Sequence, residues 1–513
     1  MKQLTGLDAS FLYLETPSQF GHVSSLSVFQ PPDDPDYQPL AAWRAQVARR
    51  LHLLEPLRRR LRMVPFGLDH PYWVEDASFD LDFHVRETAV PPPGDDAQLA
   101  DLVARLVGRP LDRSRPLWET YVIEGLAGGR FAILTKIHHA TVDGASGAEL
   151  LTMMLDTTVE GDEIEEPEEQ LEIEEHDGEW SNGMATTSWR TERVPGDGEM
   201  VVMAAGSLVR KPARAVLLSA RTVRELGKAT RNPVLVAAAN QVRGSLRGPL
   251  GSVLNLGRPR DQEGDALGPL PPLAAPRTPF NAPITPHRRF AFRSTPLDVV
   301  KGVKNELGAT VNDVVMAVCA GGLRTWLEKH DALPDDPVVA MVPVSIRTGE
   351  EVERWTNRVS AIFATLPTDE ADPVARVQRV HDAMVDAKQL FDAVPAETLT
   401  DFAQFPPPAV FTQAMRVATR LSSRFRSPVN LVISNVPGPR DPLYSAGSKM
   451  LHYYPVSTIV DGQGLNITVQ SYLDTLDFGL VSCRELVPDL WDMVDAIVDD
   501  LYGLAEAVGV AVP

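Results

Sequence analysis

A long acidic stretch in the middle of the chain sets the main limit on how this sequence can fold. From Glu160 to Glu179 there are 12 Asp and Glu residues and neither Lys nor Arg, and Pro167 interrupts them. Residues 156–200 as a whole therefore cannot bury enough apolar surface to form a core of their own. We interpret them as part of a linker that divides the 513 residues, which are too many for one core, into two folded parts.

The linker continues beyond the acidic stretch with a different composition. Residues 201–247 have helical spacing and a basic polar side, which predicts a basic amphipathic helix. The basic side chains are Arg210, Lys211, Arg214, Arg221, Arg224 and Lys228. This helix could pack across the body of the protein or touch anionic lipid. A Pro-rich stretch at 268–283 marks the second boundary, so the predicted division is 1–155, a linker at 156–275, and 276–513.

The composition narrows the class of protein. Hydrophobic residues make up 44% and charged residues 23% of the chain, as in ordinary soluble proteins. The acidic stretch carries −12 of the formal net charge of −20, which leaves −8 for the rest and gives no sign of a basic groove for nucleic acid. Cys319 and Cys483 lie in apolar surroundings, so we expect them to be buried thiols in a reducing compartment.

The sequence also bears on where the protein acts. The N-terminal residues lack the pattern of a secretory signal, and no apolar run approaches the ~18 residues of a membrane-spanning helix. We therefore predict a cytoplasmic protein that can still rest on a membrane surface.

Helix and strand patterns alternate on both sides of the linker, which predicts a mixed α/β fold in each half. Residues 40–61 have the spacing of one amphipathic helix, and residues 79–85 alternate like a strand. Residues 121–139 are typical of a hairpin, with two strands joined at Gly128 and Gly129.

A cluster of polar residues follows the second strand of that hairpin. Residues 135–146 read TKIHHATVDGAS, directly after the apolar FAIL. Neighbouring residues of a strand point to opposite faces, so His138 and His139 cannot both face one site if the strand continues that far. One should face the chemistry, where a neutral imidazole is a competent general base. The other should be structural or brace the loop. Asp143 could orient the site, or turn away and hold the loop through an arginine, and Gly144 permits a backbone shape that other residues resist.

These residues alone leave three interpretations open. Two histidines and an aspartate are sensible metal ligands, although helical metal-binding pairs are spaced four residues apart and not adjacent. They could also be ordinary buried histidines whose hydrogen bonds are satisfied. The third interpretation is a single general base without a nucleophile, because the chain has no GxSxG and neither cysteine has a histidine nearby in sequence.

The motif HHxxxDG, here residues 138–144, resembles the signature of the CoA-dependent acyltransferase superfamily. Further segments resemble the bacterial wax ester synthase/acyl-CoA:diacylglycerol acyltransferase family, and in particular the mycobacterial triacylglycerol synthases. They are LDASFLYLETP (7–17), HVSSLSVF (22–29), RPLWE (115–119), VNDVVMA (311–317), VPVSIR (342–347), TNRVS (356–360) and NLVISNVPGP (430–439). The resemblance covers nearly the whole chain in order.

This resemblance implies transfer of a long-chain acyl group from acyl-CoA to a lipid hydroxyl. The acceptor would be diacylglycerol, giving triacylglycerol, or a fatty alcohol, giving a wax ester. His139 matches the catalytic base and His138 a supporting position. Asp143 matches a position that preserves site geometry, with Arg347 or Arg358 as its partner. No metal is implied, and acyl-CoA is a substrate, so no separate cofactor is expected.

The resemblance suggests further site residues. Backbone N–H groups near Gly144 and the Asn312 side chain are candidate donors to the oxyanion. A second group, Pro116, Leu117 and Trp118, either packs in the core or lines the acyl channel. The third group, Asn435, Pro437 and Gly438, either forms a structural turn or belongs to the site.

The fold implied by the resemblance has two chloramphenicol-acetyltransferase-like domains, with His139 in a tunnel at their interface. Coenzyme A would enter from one side and the lipid acceptor from the other. The protein would associate peripherally with the inner membrane or with lipid droplets. Two alternatives remain: a weakly active or non-catalytic lipid-binding homologue, and a condensation-type enzyme that takes acyl groups from a carrier protein.

Overall fold

The computed structural model describes residues 1–142, 144–164, 194–204, 206, 275–345, 359–392 and 427–512. Several sequence predictions therefore lie outside the described residues. These are Asp143, both of its candidate partners Arg347 and Arg358, and the basic helix at 201–247 except for 201–204 and 206, which are helical.

The described residues form ten named helices. They are α1 (Gly6–Tyr13), α2 (Pro39–Arg50), α3 (Glu55–Arg58), α4 (Leu81–His84), α5 (Asp96–Val107), α6 (Gly144–Met154), α7 (Leu297–Leu307), α8 (Val311–Lys329), α9 (Pro373–Asp392) and α10 (Leu490–Ala507). Short 3-10 turns lie at Leu51–Leu53, Pro65–Gly67 and Ala127–Gly129.

Fifteen strands are present in the same part of the chain. They are β1 (Lys2–Gln3), β2 (His22–Gln30), β3 (Arg59–Arg62), β4 (Tyr72–Glu75), β5 (Val85–Ala89), β6 (Trp118–Glu124), β7 (Phe131–His138), β8 (Arg288–Pro296), β9 (Val338–Ser345), β10 (Val359–Leu366), β11 (Leu431–Val436), β12 (Tyr444–Ser445), β13 (Ser448–Val456), β14 (Leu465–Tyr472) and β15 (Thr475–Cys483). The predicted mixed α/β architecture is confirmed.

The strands form two six-stranded sheets and one small sheet. The N-terminal sheet has the order β12-β13-β2-β7-β6-β5, and the C-terminal sheet has the order β10-β9-β11-β14-β15-β8. The small sheet has the order β1-β4-β3. Strand β13 comes from the C-terminal part of the chain but pairs antiparallel with β2, with Tyr454 opposite Leu26. The N-terminal sheet is therefore completed by residues beyond the linker.

Two buried clusters stabilise the halves and join them. In the C-terminal half, α8 and α10 cover the sheet with residues such as Val315, Leu323 and Ile497. A second cluster brings Leu134 of β7 together with Phe292 of β8 and residues of α5. Cys319 and Cys483 are both buried free thiols, as predicted. Among the described residues no single helix is long and apolar enough to cross a membrane, and one bent pair, α7 with α8, passes by length and composition only.

Two local predictions are wrong. The helix predicted over 40–61 ends at Arg50, because Pro56 cannot continue an α-helix from the preceding turn, and residues 59–62 instead form β3 against β4. The strand predicted over 79–85 is a helical turn from Leu81 to His84. There the side chain of Asp80 accepts a hydrogen bond from the backbone N–H of Asp82 at 3.0 Å, a typical helix cap.

Candidate active site

Strand β7 leads directly into the histidine pair, and all eight of its residues are buried. Ile133 and Ile137 pack on one face, while Ala132 and Leu134 pack on the other, so the predicted alternation is confirmed. The strand ends at His138. His139 therefore begins the connection to α6, which starts at Gly144.

His138 is the fully buried member of the pair. Its Nδ1 accepts a hydrogen bond from the backbone N–H of Ala140 at 3.0 Å, so in the neutral ring the proton is on Nε2. That Nε2 lies 3.3 Å from Glu15 Oε1, within ion-pair distance although the geometry falls short of a hydrogen bond. Both ring nitrogens face protein groups, which is the bracing role expected for one histidine of the pair.

Glu15 anchors this arrangement, and the sequence analysis missed it. Its Oε1 accepts a hydrogen bond from the backbone N–H of Gly21 at 2.7 Å, and its Oε2 accepts one from Arg113 Nη2 at 2.5 Å. Burial alone would raise the pKa of Glu15, but His138, Gly21 and Arg113 together lower that pKa to about 2. Glu15 is therefore a carboxylate at neutral pH.

His139 is the partly exposed member of the pair. Its backbone N–H donates to the carbonyl of Gly21 at 2.8 Å. Its ring stacks on Phe11 of α1, with centroids 4.1 Å apart and an angle of 9° between the planes. An imidazole that is oriented by stacking and still accessible can meet a substrate.

Gly21 is the contact surface for both histidines. A Cβ at this position would lie 2.6 Å from His138 Nε2, closer than side chains pack, and 3.0 Å from the carbonyl oxygen of Phe11, a tight contact. The same residue donates to Glu15 and accepts from His139. It lies more than 100 positions from the histidines in sequence, and β2 brings it there by placing His22 opposite His138.

Pro116 and Leu117, which lead into β6, and Trp118, with which the strand begins, are buried in core contacts. The carbonyl of Leu117 accepts the backbone N–H of His138 at 2.9 Å, so this segment supports the strand end directly. The indole Nε1–H of Trp118 donates to the carbonyl of Leu57 at 2.7 Å, and its ring stacks on His84 with centroids 4.5 Å apart. Pro116 is buried beside them. These contacts are those of core packing, one of the two alternatives for this group.

The remaining predicted residues lie in the C-terminal half. Asn312 is in the first turn of α8 and Asn435 is near the end of β11, and their side chains meet through a 3.4 Å hydrogen bond. Beyond Pro437, the backbone N–H of Gly438 donates to Ser471 Oγ at 3.2 Å. A Cβ on Gly438 would lie 1.9 Å from the carbonyl oxygen of Ser471. The structure thus gives Gly438 a structural role in the turn.

Among the described residues, which do not include Asp143, no group of three or more His, Cys, Asp or Glu side chains is arranged to hold a metal ion.

Family models match most of the chain. The wax ester synthase/diacylglycerol acyltransferase catalytic domain matches residues 4–315, and the C-terminal domain of the same family matches residues 355–505.

Relatives and solved structures agree with these matches. A Mycobacterium tuberculosis protein named as a candidate diacylglycerol O-acyltransferase is 36% identical over 510 residues, which cover 99% of this chain and 100% of that protein. A wax ester synthase/diacylglycerol acyltransferase structure from Marinobacter aquaeolei superposes with a TM-score of 0.63 at 31% identity, covering 99% of this chain and 100% of that one. The first condensation domain of the CDA synthetase, at 16% identity and a TM-score of 0.52 over 100% of this chain and 98% of its own, shares the two-domain chloramphenicol-acetyltransferase-like fold.

Proposed function

The chain belongs to the wax ester synthase/diacylglycerol acyltransferase family and is an O-acyltransferase, and we propose that it transfers a long-chain acyl group from acyl-CoA to diacylglycerol. The roles of the two histidines are assigned from one observation, the difference between their surroundings. His138 is buried with both ring nitrogens against protein groups, whereas His139 is oriented by Phe11 and partly exposed. His139 is therefore the group able to serve as general base.

In the proposed reaction His139 takes the proton of the acceptor hydroxyl as its oxygen attacks the thioester carbonyl. The carbon–oxygen bond forms and the carbon–sulfur bond breaks, so coenzyme A leaves as a thiolate and the proton returns from His139 to the sulfur or to solvent. Both substrates are bound together, and their alignment supplies much of the rate.

A fatty alcohol is the second candidate acceptor, because the matching family model and the Marinobacter aquaeolei relative carry the name of wax ester synthases as well. The width of the acceptor pocket decides between the two acceptors, and only product analysis separates them.

The direct test is incubation of the purified protein with labelled palmitoyl-CoA and either dioleoylglycerol or hexadecanol, followed by separation of the neutral lipids. We expect labelled triacylglycerol to be the main product, and none from His139→Ala. Transfer only from an acyl group on a carrier protein would instead indicate the condensation-type alternative. Binding of acyl chains without any product, from folded protein, would indicate the lipid-binding alternative.

We also propose that the protein rests on the surface of the inner membrane or of lipid droplets, from which the acceptor is drawn. Exposed apolar side chains on two segments that pack against each other support this, and we call them the apolar patch: Phe66 is 85% exposed, Val202 72%, Met63 49% and Met203 43%. Phe66 has a left-handed backbone with φ 58°, which costs energy in a non-glycine residue, so the fold presents an aromatic ring to solvent at some cost.

The patch is joined to the histidine pair through the small sheet. Below the patch, Val64 packs with Met200 and Ala204. Leu61 and Trp73 of the same sheet pack in one cluster with Leu117 and Ala140. A lipid surface at the patch would therefore lie beside the elements that hold His139.

Flotation with vesicles of phosphatidylcholine and dioleoylglycerol tests this surface. We expect the wild type to float and Phe66→Ser to float less. Phe363→Ser is the matched control, because Phe363 is 46% exposed but lies on β10 of the C-terminal sheet. Equal flotation of Phe66→Ser and wild type would contradict the assignment of the patch.

A further inference from the structure

The turn that precedes Gly21 is held by the C-terminal half of the chain. Three consecutive residues of this turn each accept one hydrogen bond from beyond the linker. The carbonyl of Ser18 accepts from Arg288 Nη2 at 2.6 Å, Gln19 Oε1 from the backbone N–H of Asp461 at 3.2 Å, and the carbonyl of Phe20 from Thr458 Oγ1 at 2.7 Å. We call residues 18–20 the clamped turn.

The clamped turn continues directly into the contact surface of the histidine pair. Gly21 donates to Glu15 and accepts from the backbone of His139, and its α-carbon faces the His138 ring. A displacement of residues 18–20 should therefore shift both histidines, because Gly21 follows these residues directly and contacts both.

Arg288 is unusual in what it binds. The residue is buried, with 7% exposure, and its guanidinium donates to the carbonyls of Thr285 and Ser18 at 2.5 and 2.6 Å. It also lies over the Phe20 ring, 5.2 Å from the centroid. A buried cation costs desolvation energy, and here its hydrogen bonds go to neutral backbone carbonyls on both sides of the interface. Arg288 therefore connects the two halves through hydrogen bonds to backbone carbonyls of both.

We propose that Arg288 and Thr458 are positioning residues for acyl transfer, which hold the clamped turn so that His139 stands in reach of the acceptor hydroxyl. The proposal rests on the proposed role of His139 as the base. It makes docking of the C-terminal half a requirement for an ordered histidine pair, although neither positioning residue touches the reacting atoms.

Kinetics of matched variants test the proposal. Thr458→Val removes the hydroxyl at nearly constant volume, and we expect kcat to fall ~10-fold with the KM for palmitoyl-CoA nearly unchanged, because misplacement affects the reacting geometry and not thioester binding. Thr458→Ser keeps the donor and should restore kcat to within about threefold. Arg288→Lys should resemble Thr458→Val, because one ammonium does not reproduce the fork of the guanidinium.

A control separates positioning from general stability. The hydroxyl of Thr475 also donates to a backbone carbonyl, that of Tyr472 at 2.9 Å, but within the C-terminal sheet. Thr475→Val should lower the melting temperature and leave kcat of the folded protein unchanged. If Thr458→Val behaves like Thr475→Val, the positioning role is wrong.

Hydrogen exchange provides a readout that does not depend on activity. In Thr458→Val, peptides covering residues 10–22 and 131–142 should exchange faster than in wild type and in Thr458→Ser. Unchanged exchange in both peptides would overturn the clamp. Faster exchange in an enzyme whose His139→Ala variant is still active would leave the clamp standing and overturn the proposed base instead.

Discussion

The ends of β7 and β11 occupy comparable places in the two large sheets but differ in chemistry. The end of β7 carries two imidazoles, braced by the carboxylate of Glu15. The end of β11 carries the amide of Asn435, which meets Asn312. Each end depends on a glycine that has no room for a side chain. The contrast indicates that similar architecture provides titratable chemistry in one half and packing in the other.

After the loss of His139 itself, alanine substitution of the two glycines should give the largest effects, one mainly on stability and the other mainly on catalysis. Gly438→Ala places its Cβ against backbone at 1.9 Å and should lower the free energy of unfolding by about 3 kcal/mol or more. Gly21→Ala meets the side chain of His138 at 2.6 Å instead of backbone, and should lower kcat ~100-fold with a smaller loss of stability. Urea unfolding and steady-state kinetics measure both effects.

Gly503→Ala is the control for this pair, because no heavy atom lies within 4 Å of its added Cβ and its helix should gain slightly. If Gly21→Ala and Gly438→Ala both lose stability in proportion to activity, the two strand ends do not differ as described.

The N-terminal half should also lose stability in mild acid. His84 is fully buried, and burial lowers its pKa to about 4, against the hydrogen bond to the carbonyl of Trp118 that raises it. The unfolded state takes up a proton at this histidine near pH 6.5, whereas the folded state does so only near pH 4. The stability that comes from the neutral His84 is therefore fully present above pH 6.5. It is lost as the pH falls toward 4, by about 3 kcal/mol in total. The corresponding change at Glu15 lies lower, between pH 4.5 and about 2.

Urea unfolding at pH 7 and pH 5 measures this dependence. His84→Phe should unfold with a smaller difference between the two pH values than wild type. An equal difference in the two proteins would show that His84 does not control the acid response.

Two carboxylates that contact histidines sharpen the comparison. Glu15→Gln should lower kcat ~10-fold, because the substitution removes the negative charge beside His138 and keeps the shape of the side chain. In the C-terminal half, Asp313 Oδ2 lies 2.9 Å from His381 Nδ1 and caps α8. Asp313→Asn should cost about 1 kcal/mol of stability and leave kcat unchanged. A large loss of kcat in Asp313→Asn would show that residues of both halves contribute to catalysis.

The smallest effect is expected from the amide pair. Asn435→Ala should change kcat less than about threefold, since the bond to Asn312 at 3.4 Å is weak at that length. Asn312→Ala tests the oxyanion prediction in the same assay. A loss of ~100-fold or more there would be typical of an oxyanion donor and would bring the C-terminal half into the reaction.

Features with a short sequence period could be predicted without the structure. The two-residue alternation of β7 correctly placed Ile133 and Leu134 on opposite faces, and the motif singled out the histidine pair. The prediction of one helix over 40–61 was wrong because the hydrophobic periodicity alone does not show that α2 ends at Arg50, before Pro56.

Contacts between distant segments could not be predicted in this way. Glu15 and Gly21 reach the histidines only because β2 pairs with β7, and a single sequence contains no signal for that register. The same holds for β13, which joins the N-terminal sheet from the far side of the linker.

The most direct test is the rate of acyl transfer from palmitoyl-CoA to dioleoylglycerol by His139→Ala relative to wild type, with equal folding verified by circular dichroism. If His139 is the general base, its replacement by alanine should lower the rate of acyl transfer ~1,000-fold. A folded His139→Ala variant that keeps more than about a tenth of the wild-type rate would contradict the assignment of the chemistry to the end of β7.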